Sequence, residues 1–205
     1  MLRLISLFFT RVYNFFMRKI RYIFFKSFFG KFGAKSEIKS LYILENPENI
    51  FIDENVIIGK NAWLSANPLT GSKDCRLEIK NGADIGGNVH IYCTNSIIIE
   101  KKVLIAEKVF IADNQHSYSD ITAPIMSQPI MQLSNVVLKE GCWIGENVCI
   151  CGASVGKNSV IGANSVVNRD IPDFCVAVGA PAKIIKRYSF EKQAWLKTNA
   201  QGEFI

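Results

Sequence analysis

A six-residue beat governs most of this chain. Aliphatic residues recur at Ile52, Ile58 and Leu64, at Ile79, Ile85 and Ile91, and at Ile99, Ile105 and Ile111. After a gap they return at Leu138, Ile144, Ile150, Val155, Ile161 and Val167. The position after the aliphatic is often glycine, as at Gly59, Gly86, Gly145, Gly156 and Gly162. The fourth is repeatedly asparagine or glycine: Asn55, Asn61, Gly82, Asn88, Gly141, Asn147, Asn158 and Asn164. The fifth is small or β-branched, as in Val56, Ala62, Ala83, Val89 and Ser159. Such a period matches neither a helix, at roughly 3.6 residues, nor a plain strand, at about 2. It matches a short strand followed by a corner, where asparagine or glycine tolerates the left-handed backbone. Three units close one triangular coil, and stacked coils bury one another's open faces. A sandwich of alternating strands would place its turn signals about every 8–12 residues, wider than the beat seen here.

The beat slips in four places. Residues 67–76 (NPLTGSKDCR) read as a loop thrown outward, and the spacing from Ile91 to Ile99 as a bulge. The short step from Ile150 to Val155 reads as a local tightening at Cys151-Gly152. The longest break, about 113–136, is too long for a structureless connection without a purpose. The expected organisation is therefore a basic helical segment over 1–36, a parallel β-helix over 37–187 and a tail over 188–205. That tail holds a short amphipathic stretch around Trp195 and is expected to fold back on the solenoid.

Charge separates the first of these regions from the rest. Residues 1–36 carry eight basic residues and no acidic one, giving +8; the remainder, with 16 basic and 18 acidic, gives −2, which together make the +6 of the whole chain. Wound as a helix at about 100° per residue, the segment places Arg3, Arg11, Arg18, Lys19, Arg21 and Lys26 on one side. Ile5, Phe9, Val12, Phe16, Ile20 and Ile23 fall on the other. Its charge-free runs are too short for a span of about twenty apolar residues, and it lacks the core and cleavage site of a secretory signal. Two readings stay open: a helix lying on an anionic membrane surface, or a cap on the open end of the solenoid. No nucleic-acid module follows it. The six cysteines form no secreted framework, so a reduced, cytoplasmic setting with packing cysteines is expected. Cys149-x-Cys151 lacks the spacing of a zinc site, and no metal is expected.

Two histidines are the candidates for proton transfer. His90 falls at the sixth place of a regular repeat and is expected on an outward corner, as ordinary surface. His116 lies in ADNQHSYSD, where the beat breaks, with Asn114, Ser117 and Tyr118 around it. Loops on rigid scaffolds carry function disproportionately. The chain has no nucleophile elbow, phosphate loop or dinucleotide fingerprint, and its carboxylates are scattered over corners.

The run CWIGENVCICGASVGKNSVIGANSVVNRDIPDFCVAVGAPAKIIKR (142–187) closely resembles the hexapeptide-repeat acyltransferases, in particular sugar O-acetyltransferases of the maltose, galactoside, nodulation-factor, capsule and O-antigen type. The likeness extends over about 50–187. It implies a left-handed parallel β-helix, assembled as a homotrimer with acetyl-CoA in the cleft between subunits. His116 matches the family's general base, which takes the proton of an acceptor hydroxyl during direct transfer. Trp143 matches a residue lining the pantetheine arm, and Ala163 lies where backbone packs on coenzyme A. Asn168 and Arg169 stand for the usual Thr-Lys pair, and Lys183 and Lys186 match basic residues near the nucleotide phosphates. Asn88 aligns with an acceptor-contacting asparagine, although it also fits the corner pattern; Asn114 and Tyr118 flank the acceptor side of His116. The implied activity is acetyl-CoA-dependent O-acetylation of a sugar in a surface polysaccharide or its lipid-linked precursor. Two alternatives are N-acetylation of a nucleotide-linked amino sugar and a silent trimeric scaffold. The coil from Ile150 to Val155 is one residue shorter than the maltose type, and the N-terminus departs from that type's compact helical cap.

Overall fold

In the computed structural model, residues 16, 17, 19–199 and 201–205 are described. Three parallel sheets form the faces of a triangular solenoid. Face A holds Lys31–Phe32, Ile50–Ile52, Arg76–Ile79, Ser96–Ile99 and Val136–Leu138, continued by single bridges to Val155 and Ile171. Face B holds Glu37–Ile38, Ile57–Ile58, Asp84–Ile85, Leu104–Ile105, Trp143–Ile144, Val160–Ile161 and Cys175–Val178. Face C holds Leu41–Glu45, Ala62–Ala66, His90–Cys93, Phe110–Ala112, Cys149–Cys151 and Val166–Val167. The beat residues stack in register, as in Ile58↔Ile85 and Ile105↔Ile144, and all are buried. One earlier coil is also present: Phe32 and Ile38 are buried in the core, and Leu44 packs against it.

Two corners are nearly uniform. Between faces A and B the left-handed residues are Lys35, Asn55, Gly82, Lys102, Gly141, Asn158 and Phe174. Between B and C they are Asn61, Asn88, Lys108, Asn147 and Asn164. The glycine after the aliphatic answers a different need. A Cβ on Gly86 would sit 2.6 Å from the Ala106 backbone of the next coil, so only the bare backbone lets the coils close up. All four slips of the beat fall at the third corner, between C and A. The step from Ile91 to Ile99 is that corner itself rather than a bulge in a strand. The short step after Ile150 is a turn at Gly152, whose φ is 55° and whose N–H donates to Ala112 O at 2.8 Å.

The ends are closed differently. Residues 19–28 form a helix that lays Tyr22 and Phe25 on the first coil, where their rings meet Phe32 at 6.0 and 5.5 Å and Phe25 meets Phe29 at 5.6 Å. Ile20, Ile23, Phe24 and Phe28 face outward and are exposed. Arg3, Ile5, Phe9, Arg11, Val12 and Arg18, assigned to the same helix from the sequence, lie outside the described residues. No helix among the described residues is long and apolar enough to cross a membrane. At the other end the chain reverses after Val178. Lys183–Ser189 returns antiparallel to Cys175–Val178, and Ala194–Lys197 pairs antiparallel with it in turn.

Candidate active site

The long insertion is launched by a buried carboxylate. Where Phe110–Ala112 ends, Asp113 is fully buried and accepts backbone N–H bonds from Thr94 (2.8 Å), Asn95 (2.8 Å) and Ser96 (2.9 Å). The Thr94 hydroxyl and the Asn114 amide donate as well, each at 3.0 Å. Burial pushes the Asp113 pKa up, but donors from Asn114, Asn95 and Thr94 outweigh it and hold the group below its usual value. So anchored, the chain leaves as a hairpin in which Asn114–His116 pairs antiparallel with Ile130–Gln132 and His116 lies opposite Ile130. Gln132 locks the base: its amide donates to Asp113 O at 2.7 Å, and its carbonyl accepts from Thr94 (3.0 Å) and Thr70 (2.6 Å). Thr70 belongs to the neighbouring outward loop, so both insertions share one junction.

A cavity of about 520 Å3 opens between this hairpin and the outer surface of face C. Asn114, His116 and Ile130 border it on one side, and Trp63, His90, Tyr92, Phe110 and Cys151 on the other. No charged side chain lines it. The face C rung Trp63↔His90↔Phe110 supplies an aromatic stripe. Trp63 and His90 stack at 3.9 Å and 12°, and Phe110 meets His90 edge-on at 5.0 Å. Burial lowers the His90 pKa, with the charge of Glu45 opposing it, so the ring is neutral at neutral pH. His90 Nε2 and Trp63 Nε1 are buried without a hydrogen-bond partner.

His90 therefore does not sit on an outward corner, as the repeat position suggested. It lies in the strand His90–Cys93, because the left-handed corner residue is Asn88. A signal for the stripe was present: Trp63, His90 and Phe110 each directly precede the inward aliphatic of successive face C repeats. His116 is exposed at the mouth of the cavity. Asn114 borders the cavity, but its amide is used locally, donating to Tyr92 O at 2.9 Å and to Asp113. Tyr118 is exposed further along the loop. Asn88 is outside the cavity lining; it holds the B–C corner at φ 55° and accepts from Asn61 Nδ2 at 3.4 Å.

No family model matches the chain. The putative lipopolysaccharide biosynthesis O-acetyl transferase WbbJ of Escherichia coli K12 is 39 % identical over 124 residues, covering 57 % of this chain and 63 % of the relative. The chain thus spans less than two thirds of that relative's length. A hexapeptide-repeat acetyltransferase of Vibrio cholerae O1 biovar eltor, complexed with acetyl coenzyme A, is similar with a TM-score of 0.55 and 25 % identity, covering 83 % of this chain and 78 % of that one. In sequence and in fold the chain is similar to hexapeptide-repeat acyltransferases. Its fold is their left-handed parallel β-helix. A mutant of AntD, an N-acyltransferase from Bacillus cereus in complex with dTDP and coenzyme A, shares that fold with a TM-score of 0.67 at 22 % identity, covering 82 % of this chain and 88 % of that one.

The residues that the resemblance assigns to the donor lie elsewhere, spread over face B and two corners. Trp143 is half exposed on the outer surface of face B, and the register carries that column on through Val160 and Val176 to Lys186. Lys183 opens the same antiparallel strand. Ala163 is exposed just after Val160–Ile161, at the B–C corner, while Asn168 and Arg169 are exposed after Val166–Val167, at the C–A corner. None of them borders the His116 cavity within one chain.

Proposed function

We propose that the chain is an acetyl-CoA-dependent O-acetyltransferase whose acceptor is a sugar hydroxyl in a surface polysaccharide or its lipid-linked precursor. The observation that carries this reading is His116, exposed at the mouth of an uncharged, aromatic-floored cavity large enough for a sugar ring. Its imidazole takes the hydroxyl proton as that oxygen attacks the thioester carbonyl, and returns a proton to the departing coenzyme A thiolate. The acyl group passes in one step. Trp143, Ala163, Asn168, Arg169, Lys183 and Lys186 are assigned to the donor, the cations to its phosphates. Asn114, Tyr118 and Asn88 are assigned to the acceptor side.

A homotrimer completes the site in this reading. Face B of one subunit lies against the His116 cavity of the next, which brings together groups that one chain keeps on different faces. A second association is supported by the outward Ile20, Ile23, Phe24 and Phe28 beside the basic N-terminal segment: peripheral contact with an anionic membrane, at the inner face of the cytoplasmic membrane. Flotation with phosphatidylglycerol vesicles tests it. The I23S/F24S double variant leaves Tyr22 and Phe25 on the core, and undiminished binding by that variant overturns the contact.

Purified protein incubated with acetyl-CoA and a panel of neutral oligosaccharides should release free thiol, and His116→Ala should abolish that release. Absence of any His116-dependent release sinks the enzyme reading in favour of a scaffold. Hydroxide treatment of the product separates the classes: an ester is cleaved, whereas a surviving acetyl group identifies N-transfer.

A further inference from the structure

The cysteines divide by environment. Cys75, Cys93, Cys142 and Cys175 are buried, while Cys149 and Cys151 are half-buried. Both flank the inward Ile150 on one strand, so both project from the outer surface of face C, with their Sγ atoms 3.6 Å apart. Cys151 also borders the His116 cavity. A second close pair, Cys75 and Cys93 at 3.9 Å, is only 6 % and 0 % exposed and is shielded from dissolved oxidants. The Cys149 thiol is lowered to about 7 by its hydrogen bond with Cys151, whose own thiol is pushed up. Near neutral pH a large fraction of Cys149 is therefore thiolate, the attacking species in disulfide exchange.

We propose that Cys149 and Cys151 are a reversible redox modification site at the edge of the His116 cavity, which Cys151 borders, closed by low-molecular-weight disulfides. The Cys149 thiolate attacks one sulfur of the small disulfide; that S–S bond breaks and one thiolate leaves. Cys151 then loses its proton and attacks the Cys149 sulfur, forming the Sγ–Sγ bond and expelling the second thiolate. Two protein thiols are oxidised and one small disulfide is reduced to two thiols. Alternate residues of a strand lie about 6.6 Å apart at the Cα atoms, taking two rises of about 3.3 Å. That is within the span of roughly 4.4–6.8 Å open to a disulfide, near its upper end. Closing to about 2.05 Å draws the Cys151 sulfur along the cavity edge.

The full chain is treated with oxidised glutathione, alkylated with iodoacetamide and mapped by mass spectrometry. The expected result is a chain about 2 Da lighter before alkylation and free of glutathione adducts, in which Cys149 and Cys151 alone escape alkylation once the protein is unfolded and dithiothreitol makes both reactive again. C149S and C151S should each hold one glutathione adduct instead. Continued alkylation of both residues, or a bridge at Cys75 and Cys93, overturns the proposal. The expected effect on catalysis rests on the proposed function: transfer falls severalfold when the bridge closes. A closed bridge with unchanged transfer refutes the acceptor role of the cavity, whereas the mass measurement decides the modification site by itself.

Discussion

Two corners of the triangle and the third obey different rules. At the A–B and B–C corners nearly every coil turns through one left-handed residue, such as Asn55 or Asn88. At the C–A corner there is a 3-10 turn at Pro47–Asn49, an outward loop at 67–75, a carboxylate-held turn at Thr94-Asn95, the His116 hairpin and a glycine turn. The uniform corners make the coil pitch and contribute stability. The irregular one carries the cavity, the histidine and the junction between both insertions. Periodicity and the candidate site are thus held by different edges of one prism.

The sharpest way to break that division is His116→Ala, which should cut transfer by roughly 10²–10⁴-fold, the usual weight of a general base, with the urea midpoint unmoved because the side chain is exposed. Inside the prism, Ile105→Ala should cost about 2–5 kcal/mol in urea unfolding. Asp113→Ala crosses the division. Leaving the N–H groups of Thr94, Asn95 and Ser96 without their acceptor should cost roughly 2–4 kcal/mol and release the hairpin to proteolysis within 117–129. Transfer should fall with it although His116 is intact; full activity in this variant would detach the site from its anchor. At a uniform corner, Asn88→Val should cost about 1–2 kcal/mol through its positive φ. A raised acceptor KM beyond that loss would restore the acceptor contact implied by resemblance. The smallest effect is a pH dependence. The folded state holds His90 neutral with a lowered pKa, whereas the unfolded chain takes up a proton near its ordinary value of 6.5. The stability this gives is therefore complete above about pH 6.5 and lost as pH falls towards the folded value, and His90→Gln should flatten the slope of melting temperature against pH.

Much of the inner surface was legible because burial decides it. Each buried aliphatic opens a six, and the asparagine or glycine three places on names the turn. The first coil escaped notice because Phe32, Ile38 and Leu44 keep the spacing while Lys35 takes the left-handed place without the expected residue type. His116 was visible because the period stops there. The corner placement of His90 fails, and the outward direction of Cys149 and Cys151 goes unread, for a shared reason: their directions follow from the two-residue alternation within a strand, not from the six-residue beat. Neighbours of an inward Ile91 or Ile150 must face out. The use of Asp113 as a substitute corner was not legible, since its donors come from a different coil.

A stack of parallel strands has no natural length, and each terminal rung is a template for another chain's backbone. The first rung is covered by Tyr22 and Phe25, and at the far end the strand Lys183–Ser189 runs the wrong way to be extended by a further parallel coil. A chain trimmed at either place would present the adhesive face of a fibre, so these plain end pieces decide whether the protein stays in solution as discrete particles or grows into filaments.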